Sequence, residues 1–324
     1  MGERNPTVSY AQLRLLSTDV ALGDLSGGVL ASAFSGVRMP DGWYVILPLS
    51  VWVVYTWDHL LDAYRLGATA STPRHQFHYR HFRSLLVATG LGALLAVALA
   101  AWTLGRSGLA FGLAMGAFSL IHFLVVRAVG SRTSPWLVKE LGVAIVYCVG
   151  IWGLPALHSG EPFGPSLWFA FGQFFLLAVV NLLEFSLFER RVDEADGHSS
   201  FVRAVGERSA RRIVALLLLA TLGLGAAQLL TASDGTGVAQ LLPASDGTGA
   251  AQLLSVPAGF GSASVQTASI ALQATYLPMA GILAALLLRP AIFARNERYR
   301  AWGDGAFLLP ALYLVWFHLL GSAR

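Results

Sequence analysis

Two pairs of acids stand out for their spacing. Asp58 and Asp62 lie in VWVVYTWDHLLDAYR, and Glu189 and Asp193 lie in NLLEFSLFERRVDEADGHSS. Members of each pair are four residues apart, which on a helix stacks both carboxylates on one face. Like charges so placed repel unless water, a cation or a cationic side chain sits between them. Facing lipid, each acid would cost roughly 2.5–3.5 kcal/mol. Hard divalent cations take such oxygens, and Mg2+ commonly combines one or two carboxylates with water and substrate phosphates. Basic residues accompany both pairs: Arg65 and Arg74 follow the first, and Arg190 and Arg191 overlap the second. Lys139, the only lysine in the chain, has Glu140 beside it. Acids alone would fit a metal-ion or proton path. Acids interleaved with arginines fit a metal-bridged anion, and a diphosphate fits best.

Four further polar residues are candidates near such a site. Asn181 and Glu184 lie on the helix that carries the second pair. Glu184 is either a metal ligand or an ion-pair partner of Lys139 or Arg127. Asp19 and Asp24 lie in an earlier apolar stretch, where an acid is a functional hypothesis by default. They are candidates to bind an acceptor, to take a proton from it, or to cap a glycine-rich break. His75, His78 and His81 follow the first pair, but their spacing does not hold all three on one helix face. They read as interfacial or phosphate-facing side chains ahead of a zinc site.

The elements that must position these residues are membrane helices. Of the 324 residues 55% are hydrophobic and only 12% charged, with mean hydropathy +0.61. Soluble domains carry about 25% charged residues. The expectation is an all-α, polytopic membrane helical bundle forming one domain over 1–324. Nine stretches are long and apolar enough to span, near 16–37, 43–64, 84–104, 107–127, 136–157, 166–189, 210–230, 267–288 and 302–321. With nine spans, 19 of the 22 basic residues fall on the side of the N-terminus. The positive-inside rule then puts the N-terminus in the cytoplasm and the C-terminus outside. Trp43, Tyr44, Trp136 and Trp302, at span ends, read as an aromatic belt.

The remaining features carry little chemistry. No signal peptide is expected from the polar N-terminus. A single cysteine, Cys148, excludes an intramolecular disulfide and a cysteine metal cluster. A twelve-residue repeat begins at Ala227 (AQLLTASDGTGV, AQLLPASDGTGA, AQLLSV). It reads as an expanded extracytoplasmic loop over 231–265, without a role in chemistry. The arginines are spread over loops, so no nucleic-acid partner is expected. A diphosphate at the mouth of a bundle lined by Trp, Phe and Leu implies an apolar tail, hence a prenyl diphosphate.

On these residues the chain resembles the UbiA superfamily of intramembrane prenyltransferases. That family's first motif reads N-D-x-x-D-x-x-x-D. In VYTWDHLLD, Asp58 and Asp62 match its last two acids, while Val54 and Tyr55 replace the Asn-Asp. The second motif ends in D-x-x-x-D, and ERRVD matches it with Glu189 in place of the first Asp. HSSFVRAVGERSARR is similar to the segment that follows it. KELGVAIV resembles the lysine-containing start of span five, and TPRHQF the basic stretch after the first motif.

The resemblance implies a UbiA-like bundle in which Asp58, Asp62, Glu189 and Asp193 hold Mg2+. Arg65, Arg74, Lys139 and Arg190 would grip the diphosphate. The implied chemistry is ionisation of a prenyl diphosphate, with the allylic cation shielded from water and captured by an aromatic or lipid acceptor. The missing Asn-Asp leaves open whether one metal or two binds. A terpene cyclase on the same scaffold is the nearest alternative; an ion-coupled transporter and a non-catalytic membrane protein are others.

Overall fold

The protein is described here from a computed structural model, which covers residues 15–67, 72–129, 136–159, 164–195, 200–233 and 265–322. The repeat-bearing 231–265 loop falls almost wholly outside these residues. Among those described, every regular element is helical. They are α1 (Thr18–Phe34), α2 (Trp43–Leu66), α3 (Pro73–Arg80), α4 (Phe82–Thr103), α5 (Gly105–Val129), α6 (Trp136–Ser159) and α7 (Pro165–Ala195). After them come α8 (Phe201–Val205), α9 (Glu207–Ser233), α10 (Val265–Leu288), α11 (Pro290–Phe293), α12 (Arg298–Ala306) and α13 (Leu312–Ser322). Seven helices, α2, α4, α5, α6, α7, α9 and α10, are long and apolar enough to cross a membrane.

The first and last expected spans differ from these seven. Helix α1 has 17 residues and is threaded through the bundle by its glycines. A Cβ on Gly28 would lie 2.6 Å from Leu47 and 2.8 Å from Trp43, and one on Gly27 would lie 3.0 Å from Phe174. Small residues thus bring α1 close to both α2 and α7. The last span is not one helix. It breaks after Ala306, passes through a 3-10 turn at Leu309–Ala311, and resumes as α13. Pro310 has no N–H to continue a ladder. Ser26 on α1 repairs the break: its hydroxyl donates to the Leu308 carbonyl (2.8 Å) and accepts from the Ala311 N–H (2.7 Å). Irregular backbone inside a bundle persists only where a neighbour satisfies it in this way.

Packing divides the interior in two. The larger core joins α1, α6, α7, α9, α10, α12 and α13 around Trp152, Phe174, Tyr276 and Phe307. A polar lock crosses it: Gln273 donates to Gln173 (2.8 Å) and to Gln228 (3.0 Å). The smaller cluster, which includes Trp43, Leu47, Leu104 and Leu154, ties the first turns of α2 to α4 and α6. Trp43 is therefore 2% exposed and belongs to a core, unlike the belt residue its place at a span end predicts; Trp302 is half exposed.

Helix α7 is unusually long. Its 31 residues run about 46 Å, against a hydrocarbon thickness of about 30 Å. Its last turns therefore lift Glu189 and Asp193 beyond the apolar stretch. Substituting Ser26→Ala should leave the Leu308 carbonyl and Ala311 N–H unpaired at a cost of about 1–3 kcal/mol. A lowered thermal unfolding midpoint of the detergent-solubilised protein checks this.

Candidate active site

Charged side chains from six helices gather at one end of the bundle. Asp58 and Asp62 stand on the last turns of α2. Between them in sequence, His59 turns away and is buried. Its Nε2 accepts from the Arg74 guanidinium at 3.2 Å, which docks α3 onto α2. Helix α3 forms here because Thr72 caps it, accepting from the His75 N–H at 3.2 Å, with Pro73 in its first turn. The docked helix brings His75 Nε2 to 3.9 Å from Asp62. Nδ1 of His78 donates to the Arg74 carbonyl (2.9 Å). Burial is the main cause that lowers the His78 imidazole below its ordinary range, so it is neutral near pH 7.

Lys139 opens α6 and lies within electrostatic reach of Glu140, Asp193, Asp58 and Asp62. The first acid pair and Asp193 of the second thus share the same ammonium. Glu140 has a second task. Its carboxylate accepts from the Phe201 N–H (3.0 Å), while Ser186 takes the Val202 N–H (3.3 Å). These bonds fasten α8, which follows the second acid pair, back onto the bundle.

Glu189 is engaged by the start of α12. Arg300 forms an ion pair with it at 2.5 Å, and the Tyr299 hydroxyl donates to it at 3.1 Å. Tyr299 stacks on Phe188, and Arg300 lies 5.6 Å from the centre of the Phe185 ring. Arg74 lies within reach of Arg300, Asp304, Glu189 and Asp19. Burial, with Arg300 beside it, lowers the Arg74 guanidinium from its usual value, and the three carboxylates oppose this. Tyr299 and Arg300 were not singled out by the sequence. The expected span began at 302, and a pairing across about a hundred residues has no local signature.

The other candidates separate. Arg65 and Arg190 are exposed, and Arg190 pairs with Glu207 at 3.4 Å. Asn181 is buried and lines a small pocket of about 40 Å³ together with Tyr55, Asp304 and Phe307. Glu184 and Asp24 are wholly buried, and neither carboxylate has a hydrogen-bond partner among the described residues. Asp24 lies near Tyr55, Tyr147 and Cys148. Asp19 stays at the charged end, in the first turn of α1, where its carboxylate accepts from the Val20 N–H (3.0 Å).

Below the charged end lies an apolar cavity of about 430 Å³ between α2, α4, α5 and α6. Tyr55, Val143 and Tyr147 line both it and the small pocket that holds Asn181 and Asp304. Tyr55 is three residues from Asp58 and Val143 four from Lys139, so the cavity begins where the charges end.

The donor chemistry of this end suits Mg2+. Among the described residues, no three His, Cys, Asp or Glu side chains form a metal cage by themselves. Mg2+ does not need one, because it binds through one or two carboxylates when phosphate and water complete its shell. Asp58 with Asp62 offers such a pair. Glu189 is already neutralised by Arg300. A double-mutant cycle of Arg300→Ala and Glu189→Gln should give a coupling of about 1–3 kcal/mol in unfolding free energy.

No protein-family model and no curated protein sequence matches the chain. Solved structures do. A UbiA homolog from Archaeoglobus fulgidus bound to GPP and Mg2+ aligns with TM-score 0.60 and 11% identity, over 96% of this chain and 99% of that one. The same description bound to DMAPP and Mg2+ gives 0.59 and 12%, over 96% and 99%. A structure of digeranylgeranylglyceryl phosphate synthase gives 0.53 and 10%, over 96% and 100%. At such low identity the likeness concerns the fold alone, and it extends over nearly the whole chain: this protein shares the fold of these solved UbiA homologues.

Proposed function

We propose that this protein is an intramembrane, Mg2+-dependent prenyltransferase that ionises a prenyl diphosphate and transfers the prenyl group to an aromatic or lipid acceptor. One observation carries the reading. Lys139, within electrostatic reach of Asp58, Asp62 and Asp193, lies one helical turn from Val143, which lines a 430 Å³ apolar cavity. That pairing of a charged rim with an oily interior matches a molecule with a diphosphate head and a hydrocarbon tail. The solved neighbours include UbiA homologues bound to GPP or DMAPP with Mg2+, which supports the same substrate class here.

In this reading Asp58, Asp62 and Asp193 would hold Mg2+, as would Glu189, which pairs with Arg300 in the structure. Bound Mg2+ would supply Lewis-acid stabilisation of the leaving diphosphate. Lys139 and Arg74 place fixed positive charge on diphosphate oxygens as the C–O bond lengthens, where a low dielectric strengthens each contact. The cavity walls keep water from the allylic cation. Tyr55 and Tyr147, at the junction of the two pockets, present ring faces that stabilise a cation. The small pocket beside Asn181 and Asp304 would receive the head of an acceptor. The arginine distribution sets the charged end in the cytoplasm.

Pyrophosphate release tests the reading. Purified protein in nanodiscs, given ten-, fifteen- and twenty-carbon prenyl diphosphates with a membrane lipid extract as acceptor, should release pyrophosphate only with Mg2+. Asp58→Ala and Lys139→Ala should each reduce the rate by about 100-fold or more. A cyclic hydrocarbon formed without acceptor would replace transfer by cyclisation. No release from any donor would contradict both.

A further inference from the structure

The apolar cavity has a definite depth. It runs along α2 from Tyr55 to Trp43, twelve residues or about 18 Å, and along α6 from Val143 to Leu154, about 16 Å. Its far end is closed. Trp43, Leu104 and Leu154 belong to the smaller core cluster and are nearly inaccessible, and Phe111 packs against them. Phe111 also lies so close to Gly153 that a Cβ there would sit 2.7 Å from its ring. The floor is therefore tightly packed, although the space above it is empty.

Glycines keep that space open. Gly112 and Gly116 on α5 and Gly150 on α6 line the cavity, and a Cβ added at any of them would meet nothing within 4 Å. Glycine is less favourable than alanine inside a helix, and here no neighbouring side chain requires its absence of bulk. What these positions preserve is volume inside the cavity.

We propose that the cavity selects donor length and is built for a fifteen-carbon tail; this rests on the reading of the site as a prenyl diphosphate site. An isoprene unit adds four chain carbons, about 5 Å when extended, from single bonds of about 1.5 Å. Three units extend about 15 Å and fit between Tyr55 and the floor. Four units reach about 20 Å and meet Trp43 and Leu154. The floor residues Trp43 and Leu154 are specificity-determining positions.

The test is kcat/KM for donors of ten, fifteen and twenty carbons, using the full chain in nanodiscs. Wild type should favour the fifteen-carbon donor over the twenty-carbon donor by at least about tenfold. Leu154→Ala opens the floor and should raise relative use of the twenty-carbon donor by about tenfold. Gly150→Leu, one turn above the floor, fills open space without a clash and should move the optimum to ten carbons. Twenty-carbon donor used as well as fifteen by wild type, or an unchanged order in Gly150→Leu, overturns the inference while leaving the site reading intact. Absence of both pyrophosphate release and Mg2+-dependent binding at every length overturns the site reading, and this inference with it.

Discussion

A charge placed in an apolar bundle must find an opposite charge, because the surrounding dielectric does not screen it. At one end of this protein that condition ties together segments far apart in sequence. Lys139 faces the carboxylates of α2 and α7. Arg74 lies within reach of Asp304, Glu189 and Asp19, and Arg300 pairs with Glu189. Helix α3 docks where it does because Arg74 has a partner there, and the break before α13 leaves α12 free to turn Tyr299 and Arg300 onto α7. Acids and bases are interleaved there, with carboxylates outnumbering the cations Lys139, Arg74 and Arg300. A dianionic or trianionic head with a bound cation can enter such a network by exchanging partners within it.

Below that end the governing constraint reverses. Helix packing in membranes favours close approach of small residues, and α1 obeys this at Gly27 and Gly28. Between α2, α5 and α6 it is not obeyed: glycines line empty space. Packing defects of that size forfeit dispersion contacts, so the fold tolerates a cavity that the larger core compensates. The small pocket and the apolar cavity share Tyr55, Val143 and Tyr147, and on the proposed reading the reacting carbon of a donor would lie there, at the boundary between charge and hydrocarbon.

Much of this was legible in the sequence. Hydropathy marked the crossing helices, since a helical apolar run of about 20 residues matches the hydrocarbon thickness of a bilayer. The i, i+4 acid pairs identified the charged end because helical periodicity alone stacks them. Lys139 and Arg74 were found through their proximity to acids along the chain. What escaped was set by tertiary contact. Arg65 and Arg190 looked equivalent to Arg74 but point to solvent, and nothing local distinguishes them. Arg300 and Tyr299 act across about 110 positions, and Trp43 is buried by α1 and α4, not by its own helix. The break at Pro310 interrupts the single span expected over 302–321, and its repair by Ser26 has no local signature. The cavity was invisible, since an absence of side chains has meaning only once helices are placed.

The central claim is that the acids bind the head of a prenyl diphosphate through a divalent cation. The most direct measurement is calorimetric titration of the nanodisc protein with a fifteen-carbon prenyl thiolodiphosphate, whose bridging sulfur resists ionisation. The account predicts binding with Mg2+ that weakens at least about tenfold in EDTA, and a similar loss in Asp62→Asn with Mg2+ present. Equal affinity with and without a divalent cation would contradict it.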